Sequence, residues 1–235
     1  MMHFSHHPAV WSDHPELVAG VLCAHGIRAD VDAGSAVERY EAAARERLAA
    51  VESESELPEI QAWRRAFQRM GLKPTQYRCA SESLLRRLRK EGAMPRIHPL
   101  IDVCNAISMA FAIPVAVIDL AQVQGSLQVR PADGSERYLT FGGAIEHPEP
   151  GEISFVDDAG NAHARRWTNR QSGLSAVREA TSQVLVVCEA LHPSAAADMP
   201  RLLAAIAGVL QEVWSVSAPA AILSAHAPVF EAAAG

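Results

Sequence analysis

Long apolar segments, signal-peptide features and paired cysteines are all missing from this sequence. No stretch approaches the roughly 18 uninterrupted apolar residues of a membrane-spanning helix. The N-terminal residues lack a basic start followed by an apolar run, so we expect no signal peptide. The four cysteines lie far apart, without any Cys-x-x-Cys spacing. These absences favour a cytoplasmic protein with reduced, buried thiols and no membrane partner.

Motifs for cofactors and for covalent nucleophiles are also missing. The sequence has no Gly-x-Ser-x-Gly, no Walker-type phosphate loop and no dinucleotide fingerprint. His98, His147 and His163 lack the spacing of metal ligands. We therefore expect no metal and no cofactor, and we disfavour covalent hydrolases and nucleotide-dependent enzymes.

Lysine is scarce, and arginine carries most of the positive charge. Of the 21 cationic side chains only two are lysines, and the formal net charge is −6. The segment 64–96 nevertheless holds ten cations and only two acids, Glu82 and Glu91. Arginine suits phosphate because its guanidinium is a planar fork, so this segment is typical of an RNA-docking face, with a solvated helix face as the alternative. The predicted nucleic-acid-binding residues are Arg64, Arg65, Arg69, Lys73, Arg78, Arg86, Arg87, Arg89 and Lys90.

Apolar residues are abundant and follow clear periods. With 235 residues and 49% hydrophobic content, the chain can bury a full core as one domain over 1–235. Several short runs have the apolar or alternating pattern of buried or half-buried strands. These predicted strands cover 17–25, 115–118, 127–130, 136–141, 153–156, 163–167 and 183–188.

Helical spacing recurs between these predicted strands. Ser35 and Ser81 are suitable N-caps for helices that start beside them. One predicted helix begins after Ser35, and a second includes residues 63–70. Three further helices are predicted over 82–90, 99–111 and 199–214. The alternation of helices and strands predicts an α/β fold in which strands pair over long sequence distances.

One polar set recurs at three-residue spacing on the predicted helix 99–111. Asp102, Asn105 and Ser108 are neighbours on its surface. Asn and Ser can hold a water or an ester carbonyl, and an aspartate can orient them. Buried hydrogen bonds that tie the helix to adjacent loops are the alternative, and the residues alone favour it.

A second polar set surrounds Glu152. A carboxylate at this position, followed in the chain by Arg165, Arg166 and Gln171, can form the wall of a polar pocket. Exposed cross-strand pairing accounts for the same residues equally well. Both interpretations stay open at this point.

Taken in order, several motifs resemble the B3/B4 domain of the β subunit of bacterial phenylalanyl-tRNA synthetase, and free-standing relatives of that domain. The resemblance covers about residues 60–190, and the ordered set is more specific than any single motif. The motifs are residues 63–67 (WRRAF), 71–74 (GLKP), 81–87 (SESLLRR), 99–105 (PLIDVCN), 118–120 (IDL), 125–130 (GSLQVR) and 151–152 (GE) with Asp157.

The resemblance implies a B3/B4-like α/β fold, in which mixed sheets with packed helices form one compact unit with a central cleft. It implies that tRNA or aminoacyl-tRNA, and in some cases a synthetase, is the partner. In the synthetase the cleft is an editing pocket that hydrolyses tRNA carrying a wrong amino acid. An aminoacyl ester is already activated, so such a pocket needs only to position water and polarise the carbonyl, without a metal or cofactor.

The chain departs from the family pattern at two places. Val115 and Ala116 stand in the segment where the synthetase has a histidine, and the editing glutamate falls near Arg170 or Gln171. We therefore expect other residues to take over: Asn105, Ser108 and Glu152 as catalytic groups, with Asp102, Asp119, Arg166 and Gln171 in the substrate pocket.

Three functions stay open for this sequence. The first is a trans-editing hydrolase that deacylates mischarged tRNA. The second is a non-catalytic module that binds tRNA, RNA or a synthetase. The third is a protein that binds a free amino acid.

Overall fold

The structure is a computed structural model that describes residues 2–232. Three of its helices start with a proline, which suits the first helical position because the missing N–H needs no partner there. A π-helical turn, Leu210–Trp214, follows the last helix. The α-helices in this part of the chain are α1 Pro8–Asp13, α2 Gly34–Ala49, α3 Pro58–Arg69, α4 Ala80–Glu91, α5 Pro99–Phe111 and α6 Ala195–Val209.

The strands form one mixed sheet and one antiparallel sheet. In chain order they are β1 Met2–His6, β2 Val18–His25, β3 Val115–Asp119, β4 Leu127–Pro131, β5 Arg137–Leu139, β6 Ile145–Glu146, β7 Ile153–Asp157, β8 Asn161–Arg165, β9 Arg170–Gln171, β10 Gln183–Ala190, β11 Ala220–Leu223 and β12 Val229–Ala232. The large sheet has the order β12-β1-β4-β7-β8-β5-β6, with β9 paired to β8. The small sheet has the order β11-β2-β10-β3. The predicted α/β fold with mixed sheets and packed helices is confirmed.

The small sheet separates two layers of apolar core. Side chains alternate across a strand, so Val21 and Leu185 face the same core as Phe155 of the large sheet. Their neighbours Leu22 and Val186 point the other way, toward residues of α2, α5 and α6. A strand that is buried on both faces has a nearly continuous apolar sequence. For this reason β2 and β10 could be predicted from the sequence.

The ends of the described chain pair with each other, which the sequence did not predict. In β1 and β12, Phe4 lies opposite Phe230, and β1 continues the sheet through β4. The N-cap of α4 also differs from the prediction. Cys79, not Ser81, is the N-cap of α4, and the buried Ser81 hydroxyl donates to the Ala112 carbonyl at 3.1 Å. The sequence pattern identifies a residue that can cap, but the packing decides where its hydroxyl bonds.

All four cysteines are free and buried, as predicted. Burial raises the pKa of the Cys79 and Cys104 thiols to about 12. Thiols with such pKa values are inert core groups. Among residues 2–232, no helix has both the length and the apolar composition needed to cross a membrane.

Asp157, at the end of β7, organises the turn between β7 and β8. Its Oδ1 accepts from the backbone N–H groups of Ala159 and Asn161 at 3.0 and 2.9 Å, and its Oδ2 accepts from Gln124 N–H at 3.1 Å. The Nε2 atom of His163 lies 3.2 Å from Oδ2. Burial alone would raise the pKa of Asp157, but the hydrogen bonds from His163, Asn161 and Gln124 outweigh it and hold the pKa well below its usual range.

We expect Asp157→Asn to lower the free energy of unfolding at pH 7 by about 2–3 kcal/mol, because the substitution removes hydrogen bonds to a charged group. A carboxyl with a lowered folded-state pKa stabilises the protein above its unfolded pKa of about 3.9, and this contribution is lost as the pH falls below it. Urea unfolding at pH 7, 4 and 2.5 should therefore show a steeper acid loss for wild type. The exposed Asp30→Asn serves as control, and equal pH slopes for wild type and Asp157→Asn would contradict the prediction.

Candidate functional site

A small cavity of about 60 Å³ lies between the two sheets, and we call it the inter-sheet cavity. Both sheets contribute to its wall, since the side chains come from strands of each. The small sheet supplies Val115, Ala116, Val187 and Glu189, and the large sheet supplies Phe155, Ala164, Arg170 and Gln171. This is the arrangement expected for a cleft between two sub-parts of one fold.

Trp167 forms another part of this wall and holds the two sheets together. It is fully buried, with its ring edge-on to Trp63 at 4.9 Å and to His14 at 4.8 Å between centroids. Its indole N–H donates to Glu189 Oε1 at 2.8 Å. The sequence predicted a strand as far as Trp167, but β8 ends at Arg165, and Arg166 and Trp167 have φ angles of 47° and 56°. Such left-handed backbone persists only where the surrounding packing enforces it.

Glu189 is the charged residue of strand β10 and is only 2% exposed. Its Oε1 lies 2.6 Å from His6 Nε2, in addition to accepting from Trp167. The sequence reasoning missed this residue. A usable signal existed, because a glutamate inside an otherwise apolar strand is unusual and indicates a specific partner.

The remaining polar groups of the inter-sheet cavity are partly committed to the protein. Gln171 Nε2 donates to the Val117 carbonyl at 2.6 Å, and Arg170 pairs with Glu146 at 3.0 Å. The buried Thr168 hydroxyl, by contrast, has no hydrogen-bond partner among the described residues. The predicted pocket residue Gln171 does line the cavity, and its role there stays a prediction.

A second cavity, of about 580 Å³, lies outside this cleft, and we call it the outer cavity. It brings together Glu152, Arg166 and Arg69, which the sequence predicted for three different roles. Tyr77 also lines it, and the Arg166 guanidinium lies over the Tyr77 ring at 4.8 Å. One predicted catalytic group, one predicted pocket residue and one predicted phosphate contact therefore share this space.

Glu152 is already bound to protein groups in the outer cavity. Its two carboxylate oxygens accept from Arg165 Nε and Nη2, each at 2.9 Å, and Oε1 also accepts from the Arg166 N–H at 2.9 Å. A bidentate arginine contact of this kind fixes both partners. This geometry suits a structural anchor better than a group that must bind and activate water.

His14, which the sequence did not single out, also lines the outer cavity. Its Nδ1 lies 3.0 Å from Arg69 Nη2, and Arg69 also pairs with Glu16. Burial, together with the charge of Arg69, lowers the pKa of His14. A neutral imidazole that accepts a bond at Nδ1 carries its proton on Nε2, so this side chain is a hydrogen-bond donor.

Four predicted site residues line neither cavity. The Ser108 hydroxyl donates to the Ile113 carbonyl at 2.6 Å, and Asp102 accepts from the Ile97 N–H at 2.8 Å. Asp119 accepts from the Thr181 hydroxyl at 2.8 Å and from the Ala121 N–H at 3.0 Å. The half-buried Asn105 lies on the same helix as Ser108 and Asp102. The structure does not bring these four residues together with Glu152 and Arg166, so their predicted site roles find no support in this geometry.

Acidic side chains compensate most of the cationic segment. Three of these acids lie outside residues 64–96 in the chain, so the excess charge counted along the sequence is not the charge of the surface. The ion pairs are Arg64 and Arg78 with Glu82, Arg69 with Glu16, Arg86 and Arg89 with Glu54, Arg87 with Glu91, and Arg96 with Glu41. Arg65, Lys73 and Lys90 are exposed and make no ion pair with any described residue.

One group of potential metal ligands, Glu59, His192 and Asp198, lies in the described part of the chain away from both cavities. Its carboxylates already have cationic partners, since Glu59 pairs with Arg47 at 2.7 Å and Asp198 with Arg201 at 3.2 Å. His192 Nε2 lies 3.1 Å from Asp198 Oδ2. Each of the three residues therefore already has a partner within the protein.

Known proteins provide a comparison for this geometry. Phenylalanine–tRNA ligase β subunits are similar to part of the chain: 34% identity over 73 residues in Cereibacter sphaeroides, and 29% over 118 residues in Shewanella oneidensis. These stretches cover 31% and 50% of this chain, but only 9% and 14% of the curated relatives. The crystal structure of an N-terminal fragment of the phenylalanyl-tRNA synthetase β subunit from Pyrococcus horikoshii aligns with a TM-score of 0.49 and 10% identity. That alignment covers 92% of this chain and 49% of the other.

A family model described as the B3/4 domain matches residues 62–205. This range is more than half of the chain, and it includes every residue that lines the inter-sheet cavity. The resemblance drawn from the ordered motifs is therefore confirmed, and the chain belongs to the B3/4 domain family.

Proposed function

We propose that this protein binds tRNA and hydrolyses the ester bond of mischarged aminoacyl-tRNA, with the aminoacyl group entering the inter-sheet cavity. One observation carries the proposal. The resemblance assigns the synthetase's editing residues to two segments, around Val115–Ala116 and around Arg170–Gln171, and both segments line this cavity. Segments that lie more than 50 positions apart in the chain thus meet at one cavity, which supports the proposal.

The polar groups of the cavity suit an activated ester. Hydrolysis requires a positioned water and donors that stabilise the developing negative charge on the carbonyl oxygen. The Thr168 hydroxyl and the Gln171 amide can supply donors, and the Glu189 carboxylate can accept from water or from the ligand. Catalytic roles for Asn105, Ser108 and Glu152, none of which lines this cavity, stay predictions.

The deciding experiment is a panel of mischarged tRNAs incubated with the full chain. We expect at least one aminoacyl-tRNA to lose its amino acid faster than in buffer alone. Ala116→Trp should abolish this activity because the added ring fills the cavity, whereas Ala49→Trp, on the exposed face of α2, should not. A panel in which no member is deacylated above the buffer rate refutes the enzymatic proposal.

A non-catalytic tRNA-binding module is the second candidate. The observation that favours it is the absence of histidine among the residues that line the inter-sheet cavity. Filter binding of uncharged tRNA across salt concentrations tests it, because phosphate contacts make affinity fall steeply with salt. Binding without deacylation would support the module, and absent or salt-insensitive binding would exclude it.

A further inference from the structure

We propose that Glu189 is the specificity-determining residue of the inter-sheet cavity, and that it recognises the ammonium group of a small α-amino acid carried as an ester or amide. The inference rests on the proposed function, because it names the chemical class that the same cavity accepts. It concerns recognition, not the hydrolytic step. The residue had no role in the sequence-based site.

The two carboxylate oxygens of Glu189 differ in their protein partners. Trp167 and His6 both contact Oε1, at 2.8 and 2.6 Å. Oε2 has no hydrogen-bond partner among the described residues, although the side chain is only 2% exposed. A carboxylate oxygen at a cavity wall that lacks a protein donor can accept a donor from a ligand.

The negative charge of Glu189 is buried and has no arginine or lysine partner among the described residues. A buried carboxylate is costly unless a cation or several donors compensate it. No arginine or lysine of the described chain pairs with Glu189, and Arg170, which lines the same cavity, is paired with Glu146. His6 is the ionisable contact of Glu189. The protein therefore supplies little positive charge next to this carboxylate, and a positively charged ligand would compensate it.

The inter-sheet cavity is small, and much of its wall is apolar. At about 60 Å³ it admits only a small group, and its remaining wall is largely apolar, with Ala116, Phe155, Ala164 and Val187. A small side chain can occupy this apolar part while its ammonium group meets Glu189. The combination points to an amino acid of the size of glycine or alanine, not to an aromatic one.

A purely structural tie between the two sheets is the competing interpretation, and Glu189→Gln separates the two. The glutamine retains a carbonyl oxygen that accepts from Trp167 and His6, so the tie is preserved. The amide nitrogen replaces the free oxygen, and the negative charge is removed. A structural residue would leave ligand preference unchanged in this variant, whereas a recognition residue would not.

The test is isothermal titration of the full chain at pH 7 with alaninamide and with propionamide, which lacks the amino group. We expect wild type to bind alaninamide at least about tenfold more tightly than propionamide. A difference of this size is what one hydrogen bond between charged groups contributes to the binding free energy. Glu189→Gln should lose this preference. Glu212→Gln, a matched change at an exposed glutamate outside both cavities, should keep it.

Two results overturn the inference: wild type that binds neither probe or shows no preference, and a preference that persists in Glu189→Gln. The amide probes need neither tRNA nor hydrolysis. Failure of the deacylation panel would therefore remove the enzymatic proposal and leave this preference intact. Deacylation without the preference would remove the inference alone.

Discussion

Trp167→Ala is expected to lower the free energy of unfolding by about 3–5 kcal/mol, the usual cost of removing a buried aromatic ring. The side chain is fully buried and packs edge-on against Trp63 and His14. Its loss leaves a cavity between the sheets. It also removes the indole donor of the buried Glu189 carboxylate.

Trp167→Phe tests the donor with less loss of packing, because it retains one aromatic ring while it removes the indole N–H and the second ring. We expect about 1–3 kcal/mol for the lost hydrogen bond to the charged Glu189 carboxylate, whose Oε1 keeps His6 as its partner. Urea unfolding at pH 7 measures both variants. Phe141→Ala, at a side chain that is 74% exposed, should change stability by less than about 0.5 kcal/mol. Equal stability of Trp167→Ala and wild type would show that Trp167 does not hold the sheets together.

Reversing the three unpaired cations, Arg65, Lys73 and Lys90, to glutamate is expected to weaken tRNA binding at about 0.1 M salt by at least tenfold. These side chains are exposed and have no ion pair within the described residues, so their charge is available to phosphate. The slope of log affinity against log salt should also become shallower, by about 0.7–0.9 for each phosphate that the variant no longer neutralises. Filter binding across a salt series measures both quantities.

Two controls make this result specific. Reversal of the exposed Arg28, Arg137 and Arg201 to glutamate has the same effect on net charge, and we expect a smaller reduction of tRNA affinity from it. Arg87→Glu, at a residue already paired with Glu91, should also have a modest effect. If both triple variants weaken binding equally, tRNA responds to the net charge of the protein and not to this surface.

The sequence predicted those elements whose periodicity has a local cause. Helix α5 was expected over 99–111 and is observed there, because Pro99 starts it and its apolar spacing is regular. Strands β2 and β10 were recognised because both of their faces are buried. Strand β1 was not predicted, since a five-residue strand depends on its partners β4 and β12 from distant parts of the chain.

The candidate site was harder to predict, because pockets and ion pairs are made by residues far apart in sequence. Ser108 and Asp102 have the right chemistry for a polar pocket, but their hydrogen bonds close the ends of α5. Glu152 and Arg166 do line a common cavity. Glu189 and His14 could be placed at cavities only once the sheets were assembled.

The sequence by itself determined the α/β class, the buried thiols and, through ordered motifs, the B3/4 domain family. These depend on local patterns, which are visible in the order of residues alone. The tertiary structure alone decided where charge remains free, because Glu16, Glu41 and Glu54 reach the arginines from outside the cationic segment. It also decided which polar side chains share a cavity. Electrostatic compensation and cavity formation act across space, so the order of residues along the chain does not specify them.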